Sequence, residues 1–161
     1  MSDTALKPKM LARVILNPAQ EKRLLAGHNW VFSNEIREVL AESEPQAWDL
    51  ALVVTAGGHE LGLAFYHPHS LIAARMLTSS PKEPIDAGFF GKRLADALAY
   101  REKVCPGENA YRLCFGESDG LPGLIIDRYG SILVLQVLSA GIERRLDLVA
   151  QALCELLQPQ G

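Results

Sequence analysis

A chain of 161 residues can hold one ordinary domain or two small ones. With 48% hydrophobic and 22% charged residues it is globular material, which excludes a disordered tail. A net charge of −3 argues against a uniformly basic nucleic-acid binder, so any phosphate-facing surface has to be local. Residues 1–40 carry six Lys or Arg against four Asp or Glu, whereas residues 41–80 set only Arg75 against four acids. The N-terminal part is therefore where such a surface is expected. Cys105, Cys114 and Cys154 are odd in number and form no CxxC pair, which fits a reducing compartment and thiols used as small hydrophobes. Met1 to Lys7 contains no apolar core for a secretion signal, and no apolar run reaches the length of a membrane span. A soluble, cytoplasmic protein is expected.

Met10 to Leu16 reads as a strand ended by Asn17-Pro18. Ala19 to Ala26 reads as a short helix with Leu24 and Leu25 inward, Lys22 and Arg23 on or near its open face, and Gly27 as its stop. Trp30 to Phe32 turns into a strand that continues from Ser33 to Val39, with Ile36 and Val39 inward. Leu40 to Asp49 is a polar loop around Glu42, Glu44 and Pro45. Leu50 to Thr55 and Glu60 to His67 are strands joined by Ala56-Gly57-Gly58-His59, whose paired glycines supply the positive φ of tight hairpins. Leu71 to Thr78 is another strand. Many short strands with one short helix suggest a small β-barrel ending near Thr78.

Ser79 to Pro84 reads as a linker. The helix after it places Phe89, Leu94, Leu98 and Val104 on one apolar side and ends at Pro106-Gly107. Tyr111 to Phe115 is a strand that enters a loop rich in turn residues, Gly116 to Gly123. Leu124 to Ile126 is a buried strand, Asp127 to Gly130 a second turn, and Ile132 to Leu138 a further strand. Ser139 can cap a last helix, to about Leu157, with Leu146, Val149, Leu153, Leu156 and Leu157 as its stripe. The expected class is α+β: a barrel over residues 1–79, then a partial α/β unit over residues 80–161.

The run Gly116 to Gly130 (GESDGLPGLIIDRYG), followed by Leu133 to Ala140, resembles the segment before the methyltransferase domain in a family of large-subunit ribosomal RNA cytosine-C5 methyltransferases. Gly27 to Ser33 (GHNWVFS) resembles the same family's N-terminal PUA domain, with Asn29 where a proline is common. The resemblance runs from about Ala12 to about Leu157. It implies a PUA-like RNA-binding barrel, a central α/β domain of the strand-strand-helix-strand-strand type, and S-adenosylmethionine (SAM) as the parent protein's cofactor. It also implies that the methyltransferase domain of doubly wound type, with the catalytic cysteine, lies outside this chain. On that reading the chain binds 23S ribosomal RNA and does not methylate it alone.

The residues themselves bear on each part of this expectation. Cytosine-C5 methylation needs a thiolate to attack C6, and a thiolate needs an electropositive, partly open setting. Cys105 at a helix end, Cys114 in a strand and Cys154 beside a helix stripe read instead as packing. A SAM site of the doubly wound kind needs a Gly-rich loop between a strand and a helix. No GxGxxG is present, and Gly57-Gly58 precedes a strand. His67 and His69 read as a surface pair, and Glu117 and Asp119 lack calcium-loop spacing. No catalytic, cofactor or metal residue is thus expected. For RNA, Lys22, Arg23 and His28 cluster beside Trp30, with Arg75 as a further cation. Cations meet phosphates and an exposed aromatic stacks on an unpaired base, unless Trp30 and Phe32 are core and Lys22 and Arg23 only a solvated face. A structural module that orients a catalytic domain, or forms a homodimer through an open sheet edge, is the rival expectation. A complete small enzyme is a third.

Overall fold

The computed structural model describes residues 11–42 and 49–161. The start of the first strand at Met10, the reading of Met1 to Lys7, and Glu44 and Pro45 of the polar loop lie outside the described residues. The first half is a six-stranded mixed sheet formed by β1 (Ala12–Leu16), β2 (Trp30–Phe32), β3 (Ile36–Leu40), β4 (Asp49–Val54), β5 (Glu60–Tyr66) and β6 (Ile72–Thr78). Its order is β2-β6-β5-β4-β1-β3. All pairs are antiparallel except β1 with β4. A single 3-10 turn, Ser33–Glu35, links the two edge strands. It is tied to the end of β1 by Asn17 N–H donating to Glu35 O (2.8 Å) and to the start of β6 by Ser33 N–H donating to Leu71 O (2.9 Å). The sheet therefore curls. Small side chains make room inside the curl: Ala51, Ala64 and Ala74 are buried there with Val14, Val31 and Val53. The strand expected to run unbroken from Ser33 is interrupted by this turn, because Glu35 folds back to accept from Phe32 N–H at 2.8 Å.

α1 (Glu21–Leu25) is the short helix before β2. Gly27, at φ +91°, ends it, with Gly27 N–H donating to Leu24 O. Leu24 packs on the sheet core, whereas Leu25, expected inward, is 72% exposed. One turn of 100° per residue carries it past the short contact face.

The second half opens with α2 (Ala87–Val104), capped by the Asp86 carboxylate accepting from Phe89 N–H at 3.0 Å. Its buried face is Phe89, Phe90, Leu94 and Ala97. Val104, expected on that face, is exposed. β7 (Ala110–Phe115), β8 (Leu124–Tyr129) and β9 (Ile132–Val137) form an antiparallel sheet in that order. β8 runs on through the expected turn at Asp127, and the hairpin is made by Gly130-Ser131, with Tyr129 paired to Ile132. Asp127 stays in the strand because Arg112 faces it across β7, Nε to Oδ1 at 2.9 Å. Ser139 caps α3 (Ala140–Glu143), accepting from Ile142 N–H. The last helix is thus broken at Arg144-Arg145 and resumes as α4 (Leu146–Leu157), which buries Val149, Ala152 and Leu153 against α2.

The two sheets share a core. Phe65 of β5 and Leu77 of β6 point away from the curl and join Phe90, Leu94, Leu113, Ile126, Ile142 and Leu153 in one buried cluster. α3 enters so closely over the Phe65 ring that a Cβ on Gly141 would lie 2.7 Å from it. No helix among the described residues is long and apolar enough to cross a membrane.

Candidate nucleic-acid interface

In β2, alternation sends Val31 into the core and leaves Trp30 and Phe32 half-buried on the outer side. Pairing sets Trp30 opposite Arg75 of β6, so both side chains share that side. The Arg75 guanidinium lies 5.8 Å from the Trp30 ring centre and that of Arg23 lies 5.2 Å from Phe32, both within cation–π range. The His28 ring meets Trp30 edge-on at 5.9 Å, and Trp30 meets Phe32 edge-on at 6.5 Å. Trp30 N–H donates to His28 Nδ1 at 3.2 Å. An Arg23 terminal nitrogen approaches Nε2 of the same ring at 3.0 Å, and because a neutral imidazole has one acceptor nitrogen, the tautomer decides which of the two donors the ring accepts from.

Two glutamates that the sequence reading did not select complete the group. Glu35 accepts from Arg23 Nη1 at 2.5 Å through Oε1 and from Phe32 N–H through Oε2, which fixes Arg23 over Phe32. Glu117, on the single 3-10 turn Gly116–Asp119, accepts from Arg75 Nη1 and, at 3.2 Å, from Trp30 Nε1, both through Oε1. Nothing local announces either partnership: Trp30 and Glu117 are 87 positions apart and Arg75 and Glu117 are 42 apart. Asp119 anchors the same turn, taking both Arg101 terminal nitrogens at 2.6 and 2.7 Å and Phe115 N–H at 2.6 Å. The hydrogen bonds to Asp119 raise the Arg101 pKa further, so the guanidinium keeps its charge at all ordinary pH.

Of the five residues expected to touch RNA, Arg23, His28, Trp30 and Arg75 are gathered in one patch. Lys22 is exposed on α1 and has no ion-pair partner among the described residues. Two clefts flank Glu117. One, of about 400 Å³, lies among Trp30, Arg75, Phe115, Leu124 and Leu138. The other, of about 520 Å³, lies among Leu24, His28, Asn29, Met76 and Arg93.

The thiols differ in setting. Cys114 is fully buried and its Sγ donates to Leu124 O at 3.6 Å. Burial, reinforced by the charge of Asp119, pushes this thiol up to about 12, the reverse of what a nucleophile needs. Cys105 is partly buried, and Cys154, expected to pack, is exposed beside the buried face of α4. Among the described residues no group of three or more His, Cys, Asp or Glu could hold a metal. His69 N–H donates to His67 Nδ1 at 3.1 Å, which makes that pair part of a turn. Gly57-Gly58 joins the antiparallel strands β4 and β5, so this glycine pair does not form the strand-to-helix loop that a SAM site of the doubly wound kind uses.

Residues 14–79 match the family model of a PUA-like domain. The chain is 42% identical over 146 residues to ribosomal RNA large subunit methyltransferase I of Shewanella frigidimarina, covering 89% of this chain and 36% of that protein. It is 43% identical over 136 residues to the protein of the same name from Escherichia coli, covering 83% and 34%. Among solved structures, a candidate SAM-dependent methyltransferase from Streptococcus mutans superposes with a TM-score of 0.77 at 16% identity, over 93% of this chain and 39% of that one. SMU.776, a candidate methyltransferase complexed with SAH, matches with the same TM-score. These two likenesses concern the fold. The chain spans little more than a third of the relatives it matches. The chain thus carries a PUA-like domain and is similar, at some 40% identity across most of its own length, to proteins named ribosomal RNA large subunit methyltransferase I.

Proposed function

We propose that this chain is the RNA-gripping region of a SAM-dependent methyltransferase that acts on cytosine C5 in 23S ribosomal RNA. Residues 1–79 serve as the PUA-like RNA-binding domain and residues 80–161 as a central α+β domain. The reactive thiol and the methyl-donor pocket belong to parts of the parent protein beyond these residues. The observation that carries this reading is the patch of Arg23, His28, Trp30, Phe32 and Arg75 on the outer side of the PUA-like sheet. The guanidiniums and Lys22 meet phosphates, and Trp30 offers a ring on which an unpaired base stacks. The depressed acidity of Cys114 supports a chemistry located elsewhere. A cytoplasmic site of action follows from a ribosomal RNA substrate.

Filter binding of ribosomal RNA fragments across a salt series tests the reading. Affinity falls with salt and drops about tenfold in Trp30→Ala, as stacking losses of about 1–3 kcal/mol imply. Affinity indifferent to both would remove it. A second reading, a dimerisation or orienting module, is favoured by β9. Ile132 and Val134 of β9 and Leu138 just after it are exposed, and among the described residues its free edge is covered at the first positions, where Gln160 N–H donates to Ser131 O and Leu133 N–H to Gly161 O. On this reading the double variant Lys22→Ala, Arg23→Ala leaves RNA affinity of the intact enzyme unchanged, and sedimentation shows a dimer.

A further inference from the structure

The smaller cleft beside Glu117 has the features of a pocket for one planar group. Trp30 and the half-exposed Phe115 supply aromatic flanks, and Leu138, 64% exposed, supplies an apolar wall. Glu117 supplies the polar contact. Both of its donors, Arg75 Nη1 and Trp30 Nε1, go to Oε1, and Oε2 accepts no hydrogen bond among the described residues. An ionised carboxylate can only accept. The free oxygen therefore selects a ligand edge that donates, and the two fixed donors hold the carboxylate in position. Arg75 also balances its charge, so it is ready to accept without carrying an unpaired charge into the complex. A lysine or arginine side chain of a protein partner would satisfy Oε2 equally, but it would bring an uncompensated charge to a carboxylate that Arg75 already balances. A planar, neutral, amine-bearing ring on an anionic backbone meets every feature.

We propose that this cleft holds one unstacked nucleobase carrying an exocyclic amino group, with Glu117 Oε2 accepting from that group and Trp30 and Phe115 packing on the ring. The proposal rests on the RNA-binding reading above and adds base selectivity to it. Carboxylates accept from the cytosine N4 amine in this way, and one good polar pairing discriminates by about tenfold. Uracil presents an acceptor where cytosine presents that amine, so the two pyrimidines isolate the contact.

Fluorescence anisotropy with labelled UUCUU and UUUUU pentanucleotides on the whole chain tests the proposal. The cytosine oligonucleotide binds about tenfold tighter. Glu117→Gln, which places a donor in the cleft, abolishes or inverts the preference while leaving the salt dependence in place. Phe115→Ala, at a half-exposed ring, weakens both oligonucleotides several-fold. Equal binding of the two oligonucleotides by the unmodified chain, or an unchanged preference in Glu117→Gln, overturns base selection and leaves RNA binding standing. Failure of both oligonucleotides and of ribosomal RNA fragments to bind overturns the underlying reading as well.

Discussion

At Gly62 the backbone takes φ +141°, and a Cβ there would run into Thr78 O, with Ser79 Cα 2.8 Å away. Both conflicts are with backbone, which cannot swing aside as a side chain can. Gly62→Ala should cost about 3 kcal/mol or more of stability, read as a shift in the urea midpoint. The thiols give a second residue-scale expectation. A disulfide reagent under native conditions should label the exposed Cys154 first, and Cys114 only after unfolding, because burial holds its thiolate back until about pH 12. Cations beside aromatics at a helix end were legible in the sequence, since Arg23, His28 and Trp30 lie within eight positions of one another. Glu35 and Glu117 were not. A carboxylate's partner is chosen by the fold, and one chain seen alone gives no sign of which distant arginine that is.

Elements held by side-chain pairs should respond to the loss of one partner. Asp119→Asn removes half of the Arg101 fork that ties the Gly116–Asp119 turn to α2. Both side chains of that pair are largely buried, at 12% and 9% exposure, so a loss of about 3 kcal/mol is expected in urea unfolding. The Arg112–Asp127 pair joins β7 to β8 and gives a pH dependence. Hydrogen bonding to Arg112 holds the Asp127 carboxyl below the ordinary carboxylate range. Its contribution is complete above the unfolded pKa of about 3.9 and is lost as pH falls through the lower folded value. Wild type and Asp127→Asn should therefore differ in stability at neutral pH and converge in strong acid. The same pair explains why the hairpin was misread: Asp-Arg-Tyr-Gly is turn-like chemistry until a cross-strand arginine claims the aspartate. Periodicity located α2 and most of the strands because their apolar positions face a core, although β3 begins only at Ile36 and β8 runs on to Tyr129. It missed the break at Arg144-Arg145, where Ser139 caps a single turn before α4 begins.

Across the whole molecule, Phe65 is the clearest link between the two sheets. It belongs to the first sheet by sequence and to the second core by contact. Phe65→Ala should cost about 3–5 kcal/mol. Calorimetry of the unmodified chain should show one transition, because neither half can lose its structure without exposing this shared cluster. The prolines at 81 and 84 mark the passage from β6 to α2 in the sequence, but nothing there shows that the outer side of the first sheet is buried at Phe65 and Leu77.

The two arginines of the patch are each matched to a carboxylate over a ring, Arg23 to Glu35 and Arg75 to Glu117. Each carboxylate takes up part of its arginine's charge, so the attraction for phosphates or sulfates that remains, with Lys22, is weaker than that of unpaired cations. Such a surface should pass through a heparin column at modest salt, and still distinguish a folded ribosomal fragment from any featureless polyanion of equal length.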